Sequence, residues 1–209
     1  MMILIGQYDS AFVRRVGIAL RLYGLNFEHR PWSVFGDAQM LMQVNPLGGV
    51  PVLITDDGVA LTDSKAILDH LDRLVGPERR LWPADPDTAF EARRLTALVT
   101  GLADRFVSLF YERRLHDNAS PVLVQRREAQ IAATLQALEK ARAAAPGDWL
   151  YGAQISHADI ALACALRHLR ESLPDLFDAT RYPALNAHAA RAEALPVFAE
   201  ISQPFVAPA

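Results

Sequence analysis

The chain has 209 residues, 51% of them hydrophobic and 22% charged, with a formal net charge of −3. That length buries a real core and suits one large or two small domains; the mild acidity offers neither the basic footprint of a nucleic-acid binder nor a tract for a membrane surface. No apolar run approaches the ~18 residues of a membrane helix, Met1-Met2-Ile3-Leu4-Ile5-Gly6 is too short and uncharged for a secretory leader, and the single Cys164 excludes an internal disulfide, so a reducing, cytoplasmic location is expected.

In chain order, the apolar run Ile3-Leu4-Ile5 predicts a short buried strand. A helix follows from Ala11 to Leu22, with Phe12, Val16, Ala19 and Tyr23 on one face and Gly24 just past its end. Residues 26–29 form a second strand, ending at Pro31, and 37–44 a brief helix. The stretch Asn45-Pro46-Leu47-Gly48-Gly49-Val50-Pro51 holds two prolines and two glycines ahead of the β-branched run from Val52. It reads as a rigid, bent loop feeding a strand, and Val50-Pro51 is the candidate cis peptide. Such a bend turns the Val50 N–H and C=O outward, where a peptide ligand docks as a strand does at a sheet edge. Asp57-Gly58 is a hairpin signal, Val59-Ala60-Leu61 a short strand, and Ser64 to Val75 a helix with Ile67, Leu68, Leu71 and Leu74 apolar. The order βαβ then ββα is thioredoxin-like.

Gly76-Pro77 and Trp82-Pro83-Ala84-Asp85-Pro86 interrupt this pattern, so the domains are drawn as 1–76, a linker 77–87 and an all-α helical bundle 88–209. Leu95, Leu98, Val99, Leu102, Phe106, Leu109 and Phe110 recur at helical spacing. Ser120-Pro121 starts a helix with Ile131, Leu135 and Leu138 inward. Ser156-His157-Ala158-Asp159 is a capping box with Asp in place of Glu, opening a helix apolar nearly all round and therefore central. Pro183 starts a last helix, and Pro204 to Ala209 is a loose or draped tail.

On residue type alone, Ser10 and the Asp63-Ser64 pair are helix caps, a helix N-terminus being also a carboxylate site. Six histidines show no metal spacing.

Four stretches carry a resemblance to the glutathione transferase family: Asn45 to Leu53, Leu61-Thr-Asp-Ser-Lys-Ala-Ile67, Tyr8-Asp-Ser-Ala-Phe-Val-Arg-Arg-Val16, and Gly152-Ala-Gln-Ile-Ser-His-Ala-Asp-Ile160. They fall in the family's order and span nearly the whole chain, with the closest likeness to bacterial, serine-type members. The resemblance implies that Ser10 is catalytic, donating its hydroxyl hydrogen to the sulfur of the co-substrate glutathione. It implies that Val50 and Pro51 hold the peptide backbone, and that Asp63 and Ser64 hold the γ-glutamyl end. Tyr8 is the rival donor, since other branches use a tyrosine after the first strand. A small hydrophobic electrophile is expected against Tyr8, Trp32, Phe106, Phe110 and Tyr111, with no metal, no nucleic acid, no membrane, and a homodimer as the assembly. Ala11 replaces a proline common in relatives. Gly49 stands where many relatives carry Lys or another polar side chain for the glycyl carboxylate. No cysteine occupies the Ser10 position, which argues against thiol-disulfide chemistry, and the Ser-Ser-Cys pattern of the zeta isomerases is missing. The competing class is a non-catalytic binding or regulatory protein on the same scaffold, as in stringent-starvation-like relatives that contact RNA polymerase; Gly49 points that way, while Ser10 and Asp63-Ser64 point to the enzyme.

Overall fold

The structure is a computed structural model describing residues 1–208. The chain forms two compact units: Met1–Leu81 together with the segment from Ala194 onward, and Trp82–Glu193.

The first unit is built on a four-stranded mixed sheet in the order β2-β1-β3-β4. β1 (Met2–Ile5) runs parallel to β2 (Phe27–Arg30), and β3 (Val52–Ile54) and β4 (Ala60–Thr62) follow antiparallel. Strand alternation sorts the side chains. Ile5 and Val52 pack with Leu41 of α2 (Ala38–Val44), joined by Ile3, Trp32, Val34, Val44, Val50 and Ile54. Leu4 points the other way, toward Gly17 of α1 (Ala11–Leu22), and α1 packs in turn on α3 (Ser64–Val75). Helices therefore cover both faces of the sheet, as the βαβ-ββα reading predicts. Within α3, Ile67, Leu68 and Leu71 are buried as expected; Leu74 is exposed, lying past the stripe that meets α1.

α1 is buried more completely than one apolar stripe implies. Phe12 is only half-buried, whereas Val13, Arg14 and Arg15 are all buried. The two arginines are tolerated because their guanidiniums are hydrogen-bonded. Arg14 reaches into the C-terminal segment, donating through Nε to Ile201 O at 2.8 Å and through Nη2 to Phe198 O at 2.7 Å, with its charge 5.3 Å from the centre of the Phe198 ring. These bonds and the burial of Phe198 and Ile201 explain why residues after Ala194, including the short α8 (Pro196–Glu200), belong to the first unit, although the sequence assigned them to the all-α half. The two units divide between Leu81 and Trp82.

In the second unit α4 (Pro86–Leu115) packs on α5 (Pro121–Ala144) and α6 (His157–Ser172), and α6 on α7 (Pro183–Glu193). Asp85 and Ser120 cap α4 and α5, each with proline directly after it. The capping box at α6 is present, and the helix it opens is buried through ten consecutive residues from His157 to Leu166, which makes it the unit's central element. Among the described residues no helix is long and apolar enough to cross a membrane.

Candidate active site

Strand register decides which loops meet. Ile5 pairs with Arg30 on one side and Val52 on the other, and Val52 pairs with Thr62, so these four residues form one row across the sheet. The chain leaves β1 after Ile5, enters β3 just before Val52, and leaves β4 after Thr62. Three segments consequently gather at one end of the sheet: the β1–α1 loop with Ser10, the bend at Val50-Pro51, and the α3 tip at Asp63-Ser64. Gly6 permits the closest approach. It lies at φ +127°, and a Cβ there would stand 2.5 Å from Val13 Cγ2 and 2.9 Å from Val50 Cβ, so no other residue fits between the loop and the bend.

Ser10 is the N-cap of α1, in extended conformation, its Oγ accepting from Val13 N–H at 3.5 Å. The cap uses the oxygen as acceptor only. Among the described residues the hydroxyl hydrogen meets no acceptor, and the half-buried side chain keeps a donor for an incoming group.

The bend is held by Asn45. Its buried amide donates to Gly49 O at 2.7 Å while its Oδ1 accepts from Leu47 N–H at 3.1 Å, fixing the loop from both sides. The Val50-Pro51 peptide is cis, as the sequence predicts. Among the described residues neither backbone polar group of Val50 has a hydrogen-bond partner, which leaves a donor and an acceptor for an extended ligand. At Gly49 the nearest atom to an added Cβ is Asn45 Nδ2, at 3.9 Å; the position has room for a side chain it does not have.

Asp63 caps α3 with φ 67°, a left-handed conformation rare outside glycine and most often adopted by Asn and Asp. Its carboxylate accepts from Lys65 N–H at 2.7 Å and remains exposed. Ser64 is buried, and its Oγ accepts from Arg15 Nη2 at 2.8 Å. That bond ties the second turn of α1 to the first turn of α3, placing a guanidinium beside the helix N-terminus. Two N-termini and an arginine make this end of the sheet favourable for anions. Neither Arg15 nor Asn45 stands out by residue type; the usable signal for Arg15 is a cation in the interior of an apolar helix, which has to find a partner.

The five aromatic candidates for the electrophile's walls fare differently. Tyr8 is buried, stacked flat on His29 with ring centres 3.8 Å apart and its edge against Gly17. Burial pushes its phenol up to about 12, the nearby Arg21 opposing this, so Tyr8 stays protonated and faces the unit's own interior. His29 donates through Nε2 to Gly6 O at 2.8 Å and is held below the ordinary imidazole range by burial, that hydrogen bond opposing it. Trp32 is half-buried against the Ile5–Leu41–Val52 cluster. In the second unit Phe106 is 0% exposed and stacked on His168, so it is a core residue, corrected from ligand wall because its helical position points it inward. Phe110 and Tyr111 are half-buried and meet edge to face.

A thioredoxin-like unit with a cis-proline bend, two helix tips at one sheet end and a following all-α unit defines a class. The family model described as Glutathione S-transferase, N-terminal domain matches residues 4–79, and the one described as Glutathione S-transferase, C-terminal domain matches residues 121–191. The chain belongs to the glutathione S-transferase family. It is similar to the GST-like protein YibF of Escherichia coli, 31% identical over 171 residues, which is 79% of this chain and 81% of that protein. It is also similar to maleylacetoacetate isomerase of Mus musculus, 27% identical over 207 residues, 97% of this chain and 92% of the other. Among solved structures, a glutathione S-transferase of Methylobacterium radiotolerans in complex with glutathione sulfonate matches with a TM-score of 0.89 at 30% identity, covering 100% of this chain and 99% of that one.

Proposed function

We propose that the protein is an active glutathione transferase of the serine type. It binds glutathione at the sheet end described above and stabilises its sulfur as the thiolate, which then adds to a small apolar electrophile or displaces a leaving group from it. The observation that carries this reading is Ser10: a helix N-cap whose oxygen is used and whose hydrogen, among the described residues, is not. The free thiol titrates near ~8.5, while the nucleophile is the thiolate. Lowering that value by about two units takes roughly 2.7 kcal/mol of preference for the anion. A hydrogen bond to a charged group contributes about 1.5–3 kcal/mol, and the α1 N-terminus adds about 0.3–1 kcal/mol. Together they suffice without a metal or a second base.

The remaining groups have matching roles. The Val50 N–H and C=O take the peptide backbone as an added strand. The α3 N-terminus, with the Ser64 N–H and hydroxyl, takes the γ-glutamyl carboxylate, and the exposed Asp63 carboxylate faces the ammonium. The similar Methylobacterium structure is a complex with glutathione sulfonate, and two other similar structures contain glutathione. Conjugation is favoured over the isomerase activity that some relatives are named for, because the loop reads Asp9-Ser10-Ala11 and lacks the Ser-Ser-Cys run.

One observation favours the second reading, a non-catalytic binding protein: Gly49 offers no side chain to the glycyl carboxylate, and its own carbonyl is held by Asn45. Retention on immobilised glutathione followed by conjugation of a generic aryl halide separates the two. The transferase reading expects both retention and turnover; retention without turnover, or neither, supports the binding protein.

A further inference from the structure

The loop that carries Ser10 is five residues long, and its own neighbours hold only part of it. Gly6 N–H donates to Arg30 O at 2.9 Å, His29 grips Gly6 O, and Ser10 N–H reaches Gln7 O at 3.2 Å. The two residues immediately before the serine are held from the far end of the chain. Tyr8 N–H donates to Gln203 Oε1 at 2.9 Å, across 195 positions of sequence, and Asp9 Oδ2 accepts from Val206 N–H at 3.1 Å. This segment is itself anchored just upstream. Arg14, one turn into the helix that Ser10 caps, holds the carbonyls of Phe198 and Ile201, and Arg21 pairs with Glu200 at 2.8 Å. Ile201 lies so close to α1 that a Cβ on Gly17 would stand 2.8 Å from its Cγ2.

We propose that residues 201–206 form a clasp that fixes the β1–α1 loop and aims the Ser10 hydroxyl at the glutathione sulfur, with Gln203 and Asp9 as positioning residues. The inference rests on the serine-type reading above. Its physical content is positional. Ser10 has one hydrogen to give, from an oxygen whose place is set by the loop backbone and χ1, and a misplacement of about 1 Å at a reacting centre can cost about 10²-fold in rate. Ile201 is buried against α1. The five residues after it bring a side-chain acceptor and a backbone donor onto Tyr8 and Asp9. Neither positioning residue is assigned a ligand contact, since Val50, Asp63 and Ser64 hold the peptide.

The test uses the full-length protein and Gln203→Met, which keeps side-chain length and removes the acceptor. We expect faster amide exchange at Tyr8 and an upward shift of about one unit in the thiol pKa of bound glutathione. We also expect a roughly tenfold fall in kcat at neutral pH, with the glutathione KM changed less than threefold. Gln203→Glu retains an oxygen at the same reach and restores slow exchange at Tyr8. Val206→Pro deletes the other bond from an exposed position without touching the buried residues, and moves kcat and thiol pKa the same way by a smaller amount. Ser10→Ala is measured in parallel. If it raises the thiol pKa while Gln203→Met and Val206→Pro leave pKa and kcat native, the clasp is refuted and the serine-type reading stands. If Ser10→Ala leaves the thiol pKa unchanged, the serine-type reading falls and the clasp with it.

Discussion

Two helix starts in this molecule use the same residue types to opposite ends. At α6, Ser156 and Asp159 are closed on each other: Asp159 Oδ2 accepts from the Ser156 N–H at 2.9 Å and from its Oγ at 2.6 Å, and Oδ1 accepts from Leu150 N–H at 2.8 Å. Asp159 is completely buried, and His188 donates through Nε2 to its backbone carbonyl at 3.1 Å. At α3, Asp63 and Ser64 are arranged the other way. Asp63 is exposed in a left-handed conformation with one backbone bond to Lys65, and Ser64 receives its bond from Arg15 of another helix. A cap that uses all its polar capacity internally is a structural device. One that keeps capacity open beside a guanidinium and a bend with free backbone groups is suited to an anion. Composition cannot tell them apart; the partners can.

The largest effect is expected at the closed cap. Asp159→Ala strands the Ser156 and Leu150 amides inside the second unit, and we expect a loss on the order of 3 kcal/mol in urea unfolding. Any effect on glutathione affinity should be small once folded protein is compared. The open cap should behave inversely. Ser64→Ala is expected to weaken glutathione binding about tenfold, equivalent to ~1.4 kcal/mol, measured by calorimetry. Its effect on the unfolding midpoint should be smaller than that of Asp159→Ala.

Acid sharpens the same contrast. His188 is held below the ordinary imidazole range mainly by burial, with the Asp159 carboxylate opposing; His29 is lowered by burial in the first unit. A histidine that stays neutral when folded binds fewer protons than the unfolded chain once pH drops below the usual value near ~6.5. Stability should therefore be at its plateau above that value and decline as pH falls through and below it, each histidine contributing at most ~1.4 kcal/mol per pH unit. Thermal melts between pH 7.5 and 5.5 read this slope. His188→Gln should flatten it by its own share and leave the His29 share in place.

The smallest expected effect is a gain. Gly49 has room for a side chain and no left-handed φ, so Gly49→Lys should fold normally and bring an ammonium toward the glycyl carboxylate. An exposed ion pair contributes about 0.2–1 kcal/mol, so affinity for glutathione should rise up to about fivefold at low salt and less at high salt. No salt-dependent gain would show that the carboxylate lies elsewhere.

Much of this was legible in the residues. Two prolines and two glycines before Val52 marked the bend and the cis bond, Asp57-Gly58 marked the hairpin, and Ser156 to Asp159 the central cap. Each is a local rule, in which a turn or cap is specified by residues within four positions. What the residues hid is long-range. Arg14 finds Phe198 and Ile201 more than 180 positions away, Arg15 finds Ser64 across 49, and Tyr8 finds Gln203 across 195. The α1 sequence shows that two arginines lie in an apolar helix; it does not show which carbonyl or hydroxyl receives them. For the same reason the sequence places the segment after Ala194 with the helical half: five-residue α8 has no periodicity to read, and its place is set by Arg14. Phe106 misled for a different reason: aromatic residues at helical spacing look alike whether they line a cleft or fill a core.

The measurement that bears most directly on the account is an ultraviolet titration of the glutathione sulfur in the complex, native protein against Ser10→Ala. Thiolate absorbance should appear about two pH units below the free thiol value of ~8.5 in the native complex, and the Ser10→Ala complex should lose most of that shift, keeping only the roughly half unit that the α1 N-terminus supplies. Superimposable curves for the two proteins would contradict it.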